Sequence, residues 1–68
     1  MQIVVNGERR EVRAGATVAD LLAEIGLEPR AVAVELNRLI LRREALGTRH
    51  LEAGDHVEVV RFVQGGGG

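Results

Sequence analysis

Thr17-Val18-Ala19-Asp20-Leu21-Leu22-Ala23-Glu24-Ile25-Gly26 is the stretch whose reading decides the fold, because it is the one clear helical period in a chain of short β-rich runs. Val18, Leu21, Leu22 and Ile25 recur at i, i+3, i+4 and i+7 and make one apolar stripe. Ala19, Asp20, Ala23 and Glu24 face away from it. The Thr17 hydroxyl can accept a hydrogen bond from a free N–H group of the helix start, and Asp20 three residues on completes an acidic capping box. Gly26 suits the left-handed position just past the last turn, where Leu27 can pack back on Leu22. Pro29 prevents a restart. Two to three turns are too few to persist alone, so packing of the stripe must hold this helix.

Outward on the N-terminal side, Met1-Gln2-Ile3-Val4-Val5 predicts a strand with Met1, Ile3 and Val5 on one face. Asn6-Gly7 is a strong hairpin signal because both residues tolerate positive φ. Arg9 to Arg13 reads as the return strand, with Val12 turned inward. On the C-terminal side, Ala31 to Leu36 alternates, with Val32, Val34 and Leu36 inward and Ala33 and Glu35 outward. Asn37-Arg38 turns the chain into the short run Leu39-Ile40-Leu41. The segment 42–51 has no period and reads as irregular, with a turn of helix near Glu44 to Leu46. Gly54-Asp55 marks a turn, and Val57 to Val63 is the last strand. One helix that crosses a mixed sheet of four to five strands is an α+β fold of β-grasp type. The apolar sheet face and the helix stripe cover each other in a two-layer core. The first and last strands are expected side by side and parallel.

The chain has 68 residues, enough for a single domain, and its hydrophobic content of 46% supports one core. That core is almost purely aliphatic, Phe62 being the sole aromatic residue. There is no cysteine, so disulfides, thiolate metal sites and a cysteine nucleophile are excluded. Nine basic residues against ten acidic ones leave a net charge of −1, which gives no reason to expect nucleic acid as a partner. No run approaches the roughly 20 apolar residues of a membrane span. A cytoplasmic protein without a membrane partner is the expectation. All the basic residues are arginine, so no side chain can accept an isopeptide link.

The remaining feature is Gly65-Gly66-Gly67-Gly68, directly after the last strand and Gln64. These glycines close no turn and cap no helix. A stub without side chains that ends in a carboxylate can be threaded into a narrow enzyme tunnel. The expected division is therefore a domain over 1–63 and a flexible tail over 64–68. Five residues beyond Val63, at about 3.3–3.6 Å each, reach roughly 17 Å. Ordering four glycines costs on the order of 4–8 kcal/mol at 1–2 kcal/mol each, which a docking face on the domain must offset. Val60 and Phe62 alternate opposite to Val57 and Val59, and are expected to form part of that face. Ordinary core packing is the competing reading for Val60 and Phe62, and a cloning remnant or plain flexible end is the competing reading for the glycines.

Taken in order, Ile3-Val4-Val5-Asn6-Gly7-Glu8, Thr17-Val18 with Leu21-Leu22, Ala31-Val32-Ala33-Val34-Glu35-Leu36-Asn37, Leu41-Arg42-Arg43, Gly54-Asp55-His56-Val57-Glu58-Val59-Val60 and Val63-Gln64-Gly65-Gly66 resemble the ThiS family. These are sulfur carrier proteins of thiamine biosynthesis with a ubiquitin-like β-grasp fold. The resemblance spans essentially the whole chain. Two departures stand out: Leu41-Arg42 where the family usually has a proline before arginine, and Gly67-Gly68 beyond the second glycine, at which family members typically stop.

The resemblance implies a carrier and not an enzyme. A ThiF-type adenylyltransferase would use ATP and Mg to convert the terminal carboxylate to an acyl-adenylate. Sulfur from a cysteine desulfurase would displace AMP, and a ThiG-type thiazole synthase would take the sulfur from the resulting thiocarboxylate. The reactive residue would be Gly66, or Gly68 if the tail is used as it stands, with Gln64, Gly65 and Gly67 in contact with partners. No cofactor is expected on the chain itself. His50 and His56 have no companion at ligand spacing, and no metal is assigned. Arg9-Arg10 and Arg42-Arg43 read as solvated faces, with docking on an acidic partner as the alternative. Rival functions are a carrier of the molybdopterin synthase small-subunit type, a ubiquitin-like protein modifier, and an inert interaction domain.

Overall fold

The computed structural model describes residues 1–62. Val63, Gln64 and the four glycines lie outside the described residues, and so does the boundary expected between domain and tail. The order of elements is β1 (Gln2–Val5), β2 (Glu8–Glu11), α1 (Val18–Ile25), a 3-10 turn (Pro29–Ala31), β3 (Val32–Leu36), β4 (Leu39–Leu41), a second 3-10 turn (Arg43–Ala45) and β5 (His56–Arg61). The strands form one sheet in the order β2-β1-β5-β3-β4. β1 and β5 are parallel neighbours and the other pairs are antiparallel. This is the expected α+β, β-grasp arrangement of one helix on a five-stranded mixed sheet.

The core is the meeting of the helix stripe with one face of the sheet. Val18, Leu21 and Leu22 from α1 are buried together with Ile3, Val32, Val34, Leu36, Val57 and Val59 from the strands. Ile25 and Leu27 are partly buried against them, as is Ala19, which the helical period alone assigns to the outer side. The capping box is present in both directions: the Asp20 N–H donates to the Thr17 hydroxyl at 3.1 Å, and the Thr17 N–H donates to the Asp20 carboxylate at 2.9 Å. The helix ends at Gly26, whose φ of 88° is the left-handed conformation. Gly26 N–H donates to the Ala23 carbonyl at 3.1 Å and Leu27 N–H to the Leu22 carbonyl at 2.9 Å, the two bonds of a Schellman end.

Several boundaries shift from the sequence reading. The return strand is Glu8–Glu11, with Val12 buried just beyond it. Ala31 belongs to the turn before β3, and Pro29 opens that turn because its missing N–H is no loss at a first helical position. The last strand is His56–Arg61.

The larger difference is the 42–51 segment, which has a structural task. Its Arg49 and Leu46 carbonyls accept from the Val18 and Ala19 N–H groups at 3.1 and 2.8 Å, which have no partner inside the helix. Leu46 and Leu51 are buried in the core. The segment reads as irregular because it follows the helix start rather than a period of its own.

Candidate functional site

The site is the end of β5 from which residues 63–68 continue. β5 is the central strand of the sheet, between β1 and β3. Val57 and Val59 point into the core and Val60 points out, as a period of two requires. Val60 is 59% exposed and Phe62 51% exposed. The competing reading of Phe62 as a core residue does not hold: the helix covers the opposite face. Phe62 is still fixed to the body, because its N–H donates to the Ala31 carbonyl at 2.8 Å.

Cross-strand register shows what surrounds this pair. Val60 stands opposite Ala33, and Glu35 stands between Glu58 and Ile40. Ala33 and Glu35 share a face, so Ile40 lies on the same open side as Val60. Ile40 is 77% exposed and Leu39 68% exposed. Sequence reasoning missed both as candidate surface residues. A strand of three residues at the sheet edge has no readable inside and outside, so its apolar letters look like core. The open face therefore carries Val60, Phe62 and Ala33 toward the end of β5, and Ile40 farther back, level with Glu58.

Two asparagines hold β5 in place from either side. Asn6 (φ 50°) and Asn37 (φ 51°) each take the first position of a two-residue hairpin turn. The Asn6 carboxamide oxygen accepts the Val59 N–H at 2.7 Å, and its amide nitrogen donates to the Val59 carbonyl at 3.3 Å. This side chain continues the β1–β5 ladder where β1 itself turns away. The Asn37 carboxamide oxygen accepts the His56 N–H at 2.9 Å, and its amide nitrogen donates to the Asp55 carboxylate at 3.1 Å. The strand that precedes the tail is thus clamped at its first residue and at its middle.

Among the described residues no group of three His, Cys, Asp or Glu could hold a metal ion. His56 is exposed, and His50 Nδ1 lies 3.0 Å from the Gly15 carbonyl, a contact that secures the loop at the helix start. The Asp20 carboxyl is held below the usual carboxylate range, first by the Thr17 backbone N–H and then by the Thr17 hydroxyl. The charges of Arg13 and His50 add to this, against partial desolvation. That shift belongs to helix capping. A cavity of about 210 Å³ lies between the β1–β2 hairpin and the end of α1, lined by residues including Asn6, Arg10, Leu27 and Val59. It is separate from Val60 and Phe62. Gly66, Gly68, Gln64, Gly65 and Gly67, the remaining candidate residues, lie outside the described residues. No helix among the described residues is long and apolar enough to cross a membrane.

Comparison with known proteins agrees with this architecture. The ThiS family model matches residues 3–66. A segment of the thiazole synthase of Paramagnetospirillum magneticum is 41% identical over 66 residues, covering 97% of this chain but 20% of that protein. The chain thus spans about a fifth of that relative's length. The sulfur carrier protein ThiS of Thermus thermophilus is 42% identical over 62 residues, covering 91% of this chain and 95% of its own. The crystal structure of the thiamine biosynthesis protein ThiS from Geobacter metallireducens superposes with a TM-score of 0.82 at 35% identity, covering 97% of this chain and all of that one. With the match extending over nearly the whole chain and the fold the same, this protein belongs to the ThiS family.

Proposed function

We propose that this protein carries sulfur for thiamine biosynthesis as a thiocarboxylate on its C-terminal glycine. The observation that carries the reading is an exposed apolar pair, Val60 and Phe62, at the end of a clamped central strand that Val63-Gln64-Gly65-Gly66 follow in sequence, in a ThiS-family chain. In this reading residues 1–63 are the part that partners recognise and residues 64–68 are the part that enters their active sites.

The chemistry follows from the tail. A carboxylate is a poor electrophile because its leaving group would be oxide. Transfer of AMP from MgATP, on a ThiF-type adenylyltransferase, supplies a good leaving group. The terminal sulfur of a persulfide from a cysteine desulfurase then displaces AMP to give an acyl disulfide. A thiol reductant cleaves its S–S bond, leaving the thiocarboxylate and a disulfide. No side chain on Gly65 or Gly66 obstructs passage to the next active site. A thiazole synthase is the acceptor, which agrees with the presence of a segment like this one inside the P. magneticum thiazole synthase. The chain is then a protein cosubstrate, working in the cytoplasm, and ATP and Mg belong to its activating partner. Gly66 carries the sulfur if Gly67 and Gly68 are removed, and Gly68 if they are retained.

Intact-mass measurement of the protein isolated from its native cell tests this. Replacement of one terminal oxygen by sulfur is the expected result, and the same mass shows which glycine is terminal. Adducts joined through the tail to other proteins would establish a modifier instead. An unmodified tail in cells starved of thiamine would leave an inert domain. Deletion should produce a thiamine requirement that thiazole relieves; a molybdenum-cofactor defect in its place would move the carrier to another pathway.

A further inference from the structure

Four arginines meet at the end of the sheet from which the tail emerges. β3 begins there while β4 and β5 end there, because β3 is antiparallel to both. Arg61 stands opposite Val32, the first residue of β3, and Arg30 lies in the turn just before it. Arg42 follows Leu41, which pairs with Val34, and Arg43 opens the 3-10 turn directly after it. All four are exposed. The ion pairs among the described residues join the Met1 amino group to Glu11, Arg10 to Glu24 and Arg13 to Asp20, and use none of the four. Glu28 and Glu44, their acidic neighbours in sequence, pair with none of them. Arg9, Arg38 and Arg49 also have no ion pair among the described residues, so what distinguishes these four is that they lie toward one end of the sheet.

We infer that Arg30, Arg42, Arg43 and Arg61 form a cationic collar that docks on carboxylates rimming the tail entrance of a thiazole synthase. This rests on the proposed function and names the chemistry of its acceptor. The collar lies at the strand end beside Val60 and Phe62, with Arg61 on the opposite face, that of Val32, and apolar groups flanked by charged ones are the anatomy of a protein–protein interface. Guanidinium groups match carboxylates with two parallel hydrogen bonds, and no lysine substitutes for them here. Three separate elements carry the arginines around the exit of the chain, which suits a rim more than a single phosphate. Complementary charges at a rim steer encounter and set register, and the effect weakens with salt. The collar thus orients the domain so that the tail enters first.

The test measures binding of the full chain to the thiazole synthase of the same organism, at low and at high salt. The triple variant R42Q/R43Q/R61Q is expected to bind about tenfold or more weakly at low salt and to lose most of the salt dependence. R9Q/R49Q, which changes two exposed arginines elsewhere, should bind as the unmodified chain does. Thermal melts should be unchanged in both; if the triple variant melts lower, Arg42→Gln and Arg61→Gln singly carry the test. Unchanged affinity and salt response in the triple variant, with binding still abolished by Phe62→Asp, overturns the collar and leaves the carrier reading intact. Equal losses in the control variant overturn it as well. No binding by the unmodified chain overturns both. Arginine-dependent binding of ATP, used as a phosphate probe, with thiazole synthase affinity unchanged, would reassign the collar to a phosphate ligand.

Discussion

Asn6 and Asn37 show how much one side chain contributes beyond its local role. Both suit their turns because asparagine tolerates positive φ. Each also spends its carboxamide on the backbone of β5, up to 53 residues away for Asn6. Asn6→Gly keeps the turn but leaves the partly buried Val59 N–H and carbonyl without partners. A loss of about 1–3 kcal/mol is expected in denaturant unfolding, the cost of unsatisfied buried groups. A loss no larger than a few tenths would mean that solvent replaces the clamp. Asp20 is the second residue with a measurable signature. Its folded-state pKa is lowered, so its contribution is complete above the ordinary value of 3.8 and is lost as pH falls through the lowered value. Asp20→Asn should therefore melt below the unmodified protein at neutral pH, and the gap should close in acid. A gap that is constant with pH would remove the charge from the explanation.

At the scale of elements, α1 is the part most dependent on others. It has eight residues, too few to persist in isolation. Its first free N–H groups are met by Thr17 and by the carbonyls of Leu46 and Arg49. The irregular segment is therefore a cap for the helix, anchored by buried Leu46 and Leu51. Leu46→Ala should cost about 2–5 kcal/mol, the range for a buried leucine. Amide exchange should then quicken at Val18 and Ala19 before it does in β3 and β5. Uniform quickening would show that the segment packs without supporting the helix. The β3–β4 turn offers the opposite change. Arg38 sits at φ 72°, a conformation that costs a non-glycine residue roughly 1 kcal/mol. Arg38→Gly should raise stability by up to about that amount, measured as an upward shift of the urea midpoint.

At the scale of the whole molecule, the proposed function divides the work between the body and the tail. The helix occupies one face of the sheet and leaves the other to Val60, Phe62, Ala33 and Ile40. Phe62→Asp should fold normally, because the side chain is half exposed, yet slow activation by the adenylyltransferase at least about tenfold, as loss of a central interface aromatic does. Ile40→Asp should cause a smaller loss, as it sits farther from the tail. Normal activation by a folded Phe62→Asp variant would place the docking face elsewhere.

Short-range signals were enough for much of this protein. Asn6-Gly7, the Thr17–Asp20 box, the Val18–Ile25 stripe and the Gly26 end are each decided by residues within a few positions of one another. Together with the alternation of Val32, Val34 and Leu36, they determined the elements, their order and the β-grasp class. The proposed reactive end rests on the glycine run in the same way, since its meaning is the absence of side chains. What depended on distant partners was decided only in three dimensions. The asparagine clamps, the capping by Leu46 and Arg49, the exposure of Ile40 and Leu39, and the meeting of Arg30, Arg42, Arg43 and Arg61 arise from strand register. Register comes from packing one apolar face against one helix, and no local pattern encodes where two strands far apart in the chain will lie side by side.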